Sequence, residues 1–517
     1  MSNKEILNLM RDRKNWVVYG LAFFNIAIHL YVINNLEYHR DELLYFSLGT
    51  HPDLGYATVP PLIGWIAAIM QKLFGFSLFA VKLFPALLGG ALVVLTARIT
   101  QELKGGAYAQ ILTAVAIVCM PVGLRAFHLF QPVPMELFLW TLILFYTLRY
   151  VNTDKPKFLL IVGFVTGIAL LNKYLVALLI LALLVALALT AHRRVFKVKT
   201  LYYAMLIAFL VFLPNLVWQY SHDFPVIGHM NALNENQLVY VDRFSFLADQ
   251  LLMTFSVCFL LIIGMVHFLR STKYRYVAYT AIVVVLVLLA LKGKSYYTMG
   301  VFPVLICGGC VAMEKWISNR WVRYAIPVVI VMITLPALPI GLPIYSEEGL
   351  VRYFQDLEEE HGIDIGRRFE DGTIHSLPQD YADQLGWEEL TKVTKKAYDQ
   401  IPEKDLSKAV IYASNYGQAG AITVIGKKYE LPEPVCFHES FYYWFPKQFD
   451  PDIEYLIYIN DELGENVADL FQEIELVGSI SNPNAREFGT AVYLCKSPRA
   501  SFNDFWAEVL ESVEDPF

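Results

Sequence analysis

Long apolar runs, separated by short polar segments, fill the first two thirds of the chain. A helix needs about 20 apolar residues to cross a bilayer core, and inside lipid its backbone polar groups must bond to one another. The first run starts at Trp16, after a basic segment, and lacks a small-residue cleavage site, which predicts an uncleaved first helix. The pattern predicts eleven transmembrane helices, near residues 16–34, 78–100, 107–124, 134–150, 158–171, 175–191, 201–218, 249–269, 276–291, 298–313 and 323–343.

A shorter apolar stretch, Pro61–Phe74, follows the first helix and is predicted to lie at the membrane interface or to re-enter. Basic residues mark the cytoplasmic loops of membrane proteins. They cluster at the N-terminus and in residues 149–157, 193–199, 270–275 and 315–323. If the N-terminus lies in the cytoplasm and the chain crosses the membrane eleven times, every one of these basic clusters lies in the cytoplasm. The segment after the last helix is then predicted to lie outside.

The pattern changes after residue 343, where short helical and strand-like stretches alternate. Strands are predicted at residues 408–414, 453–459, 474–480 and 489–495, with helices at 416–429 and 462–471. Such alternation favours a small α/β layer with a partly parallel sheet. The predicted architecture is therefore an α-helical polytopic membrane domain over residues 1–343, followed by an extracytoplasmic α/β domain over residues 344–517.

Charge divides the chain at the same place. Residues 1–343 contain 27 basic and 14 acidic residues, whereas residues 344–517 contain 14 basic and 34 acidic residues. The composition, 56% hydrophobic and 17% charged, is too apolar for a soluble protein of this size. GxGxxG, P-loop and HExxH motifs are absent, and the acidic second part argues against nucleic-acid binding.

Cysteine spacing leaves two alternatives open. The Cys307-Gly-Gly-Cys310 pattern resembles a redox or zinc motif, but its apolar setting and the lack of a second ligand pair favour packing. Cys436 and Cys495 lie in the predicted external domain, where a disulfide is chemically allowed. The sequence does not show whether these two residues meet.

The first external loop contains four consecutive ionisable residues, His39 to Glu42. A solvated charged loop is the ordinary interpretation of such a cluster. Acidic residues are scarce in the first 343 positions, however, and Glu37, Asp41 and Glu42 fall in this one stretch. Such a carboxylate beside the membrane can act as a general base in group transfer from a lipid phosphate, where it removes the proton of the hydroxyl that receives the group. The lipid phosphate that leaves needs only cations and hydroxyl donors around it.

Several motifs of the chain resemble the GT-C glycosyltransferases. Arg40-Asp41-Glu42, with Gly55-Tyr56 and Pro60-Pro61-Leu62, is similar to their first external loop, most of all in the bacterial family-39 group that includes protein O-mannosyltransferases and the aminoarabinose transferase of lipid A. Further stretches match in order: Gln131-Pro-Val-Pro-Met-Glu136, Leu170-Leu-Asn-Lys-Tyr174, Pro214-Asn-Leu-Val-Trp-Gln219, Lys292-Gly-Lys-Ser-Tyr-Tyr297, Asn415-Tyr-Gly-Gln-Ala-Gly-Ala-Ile422 and Tyr442-Tyr-Trp444.

The resemblance implies a glycosyltransferase of the bacterial cytoplasmic membrane. Such enzymes transfer a sugar from a polyprenyl-phosphate donor to a lipid, glycan or protein acceptor on the outer face. Asp41 is then the candidate base, and Glu42, its neighbour in the motif, is a second catalytic candidate that supports Asp41. The implied donor and phosphate-binding residues are Arg40, Lys173, Lys294 and Tyr297, and the candidate substrate-binding residues are Tyr56, Glu136 and His229.

Several of these residues also have a structural interpretation. Lys173, Lys294 and Tyr297 are residue types that commonly anchor helices at the membrane interface, and a lone histidine in a loop, such as His229, is more often solvated. Glu136 stands at a position where many relatives carry Asp. No cofactor is required, and no metal is assigned, although a divalent ion bound by Asp41, Glu42 and Glu136 stays open.

A transporter or flippase, or a non-catalytic envelope-assembly scaffold, is the alternative function. The two halves of the chain lack the inverted repeat expected of a transporter.

Overall fold

The computed structural model describes residues 13–236, 242–369 and 372–513. Part of the basic N-terminal segment used for orientation lies outside the described residues. Most of the predicted apolar runs are helical. The helices before residue 343 are α1 Arg13–Tyr31, α2 Arg40–Ser47, α3 Leu62–Phe74, α4 Leu78–Glu102, α5 Ala107–Val118, α6 Pro121–Ala126, α7 Pro132–Thr153, α8 Lys157–Leu170, α9 Val176–Ala188, α10 Lys199–Ser221, α11 Pro225–Asn236, α12 Arg243–Leu252, α13 Cys258–Arg270, α14 Arg275–Ala290, α15 Phe302–Trp316, α16 Arg320–Thr334 and α17 Leu338–Gly341.

Few of these helices are long enough to cross a bilayer by themselves. Within the described residues, four helical segments are sufficiently long and apolar: Leu78–Glu102, Lys199–Ser221, Ser295–Trp316 and Arg320–Gly341. A fifth is obtained if α9 and the 3₁₀ turn Ala191–Lys197, which meet at a bend of 112°, form one span. Five other apolar helices are shorter. The helical character of the chain is confirmed, while the number of crossings stays a prediction.

Helix α2 places the acidic pair of the first loop. His39 precedes the helix, and its imidazole Nδ1 accepts a hydrogen bond from the Asp41 backbone N–H at 3.1 Å. The Glu42 carboxylate accepts one from the His39 backbone N–H at 2.9 Å. This reciprocal capping satisfies backbone donors that the first helical turn leaves open. Asp41 and Glu42 therefore occupy fixed positions in the first turn of a helix.

The segment after residue 343 contains a four-stranded sheet with the order β1-β2-β4-β3. The strands are β1 Ala409–Ala413, β2 Tyr455–Asn460, β3 Phe471–Ser479 and β4 Ala491–Pro498. Strands β1 and β2 are parallel and the other pairs are antiparallel, as predicted for a partly parallel sheet. The helices here are α18 Glu347–His361, α19 Gln379–Ala382, α20 Trp387–Tyr398, α21 Tyr416–Val424, α22 Glu465–Leu470 and α23 Phe502–Ser512.

Helix α21 packs directly on helix α2. Two glycines of α21, Gly417 and Gly420, face the first loop at helical spacing. A Cβ atom on Gly417 would lie 2.8 Å from the Arg40 Cγ atom, and one on Gly420 would lie 2.8 Å from the Leu43 Cβ atom and 2.9 Å from its carbonyl carbon. These glycines therefore permit the close approach that joins the sheet segment to the loop of the acidic pair.

Replacing Gly420 with Ala is expected to lower the free energy of unfolding by about 1–3 kcal/mol, because the new methyl group must displace helix backbone. The measurement is the thermal unfolding midpoint of the purified protein in detergent. Gly464→Ala is the matched control, since the nearest atom to its Cβ is the Tyr458 hydroxyl oxygen at an ordinary 3.4 Å. Equal midpoints for the two variants would show that the α2–α21 contact is looser than its geometry indicates.

Candidate functional site

Asp41 is held by side chains from two distant parts of the chain. The Gln131 side-chain amide donates a hydrogen bond to the Asp41 Oδ2 atom at 3.0 Å, from the start of α7. The Tyr416 hydroxyl donates one to Oδ1 at 3.1 Å, from the start of α21. One donor on each oxygen fixes the orientation of the carboxylate. Asp41 also lines a cavity of about 540 Å³ between the first loop and the C-terminal segment.

Glu42 points away from that cavity into the protein. Its side chain is fully buried, and its Oε2 atom lies 2.7 Å from the Lys82 ammonium nitrogen on α4. Its Oε1 atom accepts a hydrogen bond from the Phe130 backbone N–H at 2.8 Å. Because both oxygens are bound to protein groups, Glu42 is placed to hold the loop rather than to touch a substrate in the cavity. The predicted catalytic role of Glu42 stays a prediction.

The cavity wall carries both cations and carboxylates. Two of the predicted phosphate-binding residues, Arg40 and Lys294, line it together with Asp41. The Arg40 guanidinium stacks on the Tyr416 ring, 4.5 Å from its centroid. A carboxylate base and adjacent cations are the groups that sugar transfer from a lipid phosphate requires.

Lys173 and Glu136 form a second cluster beside the cavity. The Lys173 ammonium nitrogen lies 3.1 Å from the Glu136 Oε2 atom and 4.4 Å from the centroid of the Tyr297 ring. The adjacent Tyr296 also contacts Lys173 and lines the cavity. The structure thus brings together three predicted site residues from α7, the α8–α9 turn and the 3₁₀ turn before α15. Their predicted roles, donor-phosphate binding for Lys173 and Tyr297 and substrate binding for Glu136, stay predictions.

Tyr56 and His229 lie outside the cavity wall. Tyr56 is buried, and its hydroxyl group contacts the backbone carbonyl oxygens of Leu48 and His51 at 3.1 and 3.2 Å, so it braces the first loop. His229 lies on α11, where burial and the positive charge of Lys294 lower its pKa. The structure therefore places Tyr56 in a supporting position and does not bring His229 into the cavity wall.

The described residues contain no cluster of three or more His, Cys, Asp or Glu side chains able to hold a metal ion. The three carboxylates considered for such a site do not converge, since Glu42 pairs with Lys82 and Glu136 with Lys173. All six cysteines are free thiols: Cys307 and Cys310 are buried in α15, and Cys436 and Cys495 are buried separately. The alternative of a Cys436–Cys495 disulfide is not realised.

Several residues that surround Asp41 carry no signal of a site role in the sequence. Tyr416 belongs to a matched motif, but its local pattern does not mark it as a site residue, and Asp383, Asp380 and Arg486 line the cavity without any motif to mark them. Their contribution depends on folding residues 379–487 back onto residues 39–41.

Glu439 is another missed carboxylate, at the contact between the C-terminal segment and the loop after α2. It accepts a hydrogen bond from the Thr58 hydroxyl, while the Ser440 hydroxyl accepts one from the Ala57 backbone N–H at 3.0 Å. Burial and the negative charge of Asp41 raise the pKa of Glu439 to about 7, against the lowering effect of the Thr58 bond. Glu439 therefore changes charge near neutral pH at this contact.

Raising the pH from about 5 to 8 is expected to destabilise the protein through Glu439. The pKa of Glu439 is about 7 in the folded protein and about 4.5 in the unfolded chain, so between these values only the folded protein keeps the proton. The free energy of unfolding therefore falls as the pH rises from 4.5 to 7. The midpoint of Glu439→Gln should therefore exceed that of the wild type more at pH 8 than at pH 5. Glu462→Gln, at an exposed position, is the control. A pH-independent difference between wild type and Glu439→Gln would refute this account.

Comparison with known proteins finds a family match, a curated relative and solved structures that are similar to this chain. Residues 58–218 match the family described as dolichyl-phosphate-mannose-protein mannosyltransferase. The lipid A galacturonosyltransferase RgtD of Rhizobium johnstonii is 26% identical over 194 residues, which are 37% of this chain and 41% of RgtD. The chain thus matches less than half the length of this curated relative.

Two crystal structures of ArnT from Cupriavidus metallidurans share the fold. The apo structure has 12% identity and a TM-score of 0.60, covering 92% of this chain and 98% of ArnT. The structure bound to undecaprenyl phosphate has 13% identity and a TM-score of 0.62, covering 93% and 98%. Family match, relative and fold agree, and they confirm the similarity of this chain to the GT-C glycosyltransferases of the ArnT and protein mannosyltransferase type.

Proposed function

We propose that this protein is an integral membrane glycosyltransferase. It transfers a sugar from a polyprenyl-phosphate donor to a lipid, glycan or protein acceptor on the outer face of the bacterial cytoplasmic membrane. The relatives support this reaction class, since RgtD is named a lipid A galacturonosyltransferase and one ArnT structure contains undecaprenyl phosphate. The observation that carries the proposal is the position of Asp41, oriented at both oxygens and facing a cavity that also contains Arg40 and Lys294.

The proposed reaction is an inverting displacement at the anomeric carbon. The acceptor hydroxyl oxygen forms the new bond to this carbon, while the bond from the carbon to the lipid phosphate oxygen breaks. The hydroxyl proton passes to the Asp41 carboxylate, and the polyprenyl phosphate leaves with the electron pair. Cationic groups such as Arg40 and Lys294 stabilise the charge that develops on the phosphate, so the leaving group needs no proton.

The proposal includes the predicted topology. The chain crosses the membrane eleven times, residues 1–343 form the membrane domain, and residues 344–517 form an external domain that covers the catalytic loop. The shorter helices can contribute to crossings as bent or broken pairs, as the α9 pair illustrates. Labelling of a Leu54→Cys variant tests the sidedness, because this loop residue is exposed and should react from the outside only.

The direct test uses purified wild-type protein in lipid vesicles with a radiolabelled polyprenyl-phosphate sugar and a membrane-lipid extract. A transferase moves label covalently into acceptor molecules, whereas a flippase moves the donor between leaflets without a new bond. An assembly scaffold does neither. Movement of intact donor without any labelled product would replace the transferase proposal with a transport function.

A further inference from the structure

One side of the cavity is built from the C-terminal segment. Gln379, Asp380 and Asp383 come from α19 and the residue after it, Tyr416 opens α21, and Arg486 precedes β4. The other side contains Lys294 and Tyr296, near the Lys173 cluster predicted to bind the donor phosphate. Asp41 lies where the two sides meet. The side formed by the C-terminal segment, with His39 and Arg125 that contact it, is here named the acceptor wall, because the proposed base Asp41 separates it from the donor-phosphate candidates.

The cations of the acceptor wall are bound to carboxylates of the protein. Arg125 forms an ion pair with Asp380. The Arg486 Nε atom lies 3.6 Å from the Asp383 Oδ1 atom. An anionic ligand would have to displace these fixed carboxylates or share their cations with them. Like charges brought together at low dielectric repel, so this pairing works against a phosphate or carboxylate at the wall.

The remaining hydrogen-bonding capacity suits hydroxyl groups. Three buried atoms at or beside the wall make no hydrogen bond to the described protein: His39 Nε2, Arg40 Nε and Asp383 Oδ1, the last with only its 3.6 Å ion-pair contact to Arg486. Arg40 Nε is a donor, Asp383 Oδ1 is an acceptor, and the imidazole nitrogen is either, depending on its tautomer. Buried polar atoms without partners are costly and mark places for a ligand or water. A hydroxyl group donates and accepts at once, so a sugar with several hydroxyls can satisfy this mixed set, whereas a phosphate dianion supplies acceptors only.

We propose that the acceptor of this enzyme is an uncharged, hydroxyl-rich glycan headgroup, bound against Asp380, Asp383 and Arg486. The inference rests on the proposed transferase function and adds the chemical class of the acceptor. The carboxylates of the wall orient the sugar hydroxyls by accepting hydrogen bonds, and the paired arginines hold these carboxylates in place. Asp383 is a binding residue in this scheme, and Asp41 remains the proton acceptor.

The test separates a membrane-glycolipid extract by anion exchange into neutral and anionic fractions before the reaction. Each fraction is given to the purified full-length protein in vesicles with the labelled donor. The neutral fraction is expected to accept label with a kcat/KM at least about tenfold higher, the effect of one well-placed hydrogen-bonding group. Preferential labelling of the anionic fraction would overturn the proposal.

Asp383→Asn supplies the second arm. It should lower kcat/KM for the neutral fraction by roughly 10- to 100-fold with an unchanged KM for the donor, and it should make transfer more sensitive to inorganic phosphate, because the negative charge beside Arg486 is removed. Asp356→Asn, at an exposed position on α18, is the control. Equal phosphate inhibition of wild type and Asp383→Asn would contradict the paired-cation argument.

Calorimetric titration of the same samples with neutral and phosphorylated headgroup oligosaccharides distinguishes failure of the transferase function from failure of the proposed acceptor class. Binding of the neutral oligosaccharide without any transfer would refute the transferase and leave the acceptor class standing. Tighter binding of the phosphorylated oligosaccharide would refute the acceptor class, whether or not transfer occurs.

Discussion

Replacing Asp41 with Asn is expected to reduce sugar transfer by about 100- to 10,000-fold, the range typical of a lost general base. The amide keeps the size of the side chain and can still accept the Tyr416 hydrogen bond, so the loop should keep its structure. It cannot take the acceptor proton. The measurement is the initial rate of label transfer from a polyprenyl-phosphate sugar, with kcat and the donor KM determined separately. We expect the loss in kcat.

Two further measurements make the Asp41 result specific. Asp364→Asn, an exposed carboxylate of the C-terminal segment, should transfer at the wild-type rate. The thermal midpoint of Asp41→Asn should stay near that of the wild type, since the Gln131 amide can turn and accept a hydrogen bond from the new amide nitrogen. An Asp41→Asn protein that transfers as fast as wild type would show that another group accepts the proton.

The helices could be predicted because apolar runs in lipid have few alternatives to helix. The number of membrane crossings was harder to predict, because one apolar run can fold as two shorter helices. The apolar run 249–269, for example, covers the end of α12 and nearly all of α13, with turns between them. The strands could be predicted because short apolar stretches alternate with turn residues, and strands near all four predicted positions are present.

The candidate site was predictable only where its residues share a local motif. Asp41 is conspicuous because carboxylates are scarce around it. Its partner Tyr416 lies 375 positions away, and nothing in the local pattern indicates that the two meet. Lys82 was overlooked for a similar reason, because a single lysine within the apolar run 78–100 resembles a residue that extends to the membrane surface. Tertiary contacts decide both assignments.

The ion pair between Lys82 and Glu42 gives the largest expected effect on stability. Replacing Lys82 with Met should lower the free energy of unfolding by about 3–5 kcal/mol, because the Glu42 carboxylate is left buried without its cation. For a chain of 517 residues this corresponds to a fall of roughly 3–5 °C in the thermal midpoint in detergent. Lys72→Met, on the exposed end of α3, removes the same charge from a position outside the protein core and should have little effect.

The double variant Glu42→Gln/Lys82→Met separates the structural part of Glu42 from a catalytic one. It removes both charges, and the amide oxygen can still accept one of the backbone hydrogen bonds from His39 and Phe130, so the midpoint should recover most of the loss seen for Lys82→Met alone. If Glu42 only holds the loop, the double variant also transfers sugar, whereas Asp41→Asn does not. If the double variant is stable but inactive, Glu42 takes part in the reaction itself, and the two acidic residues share the catalytic task.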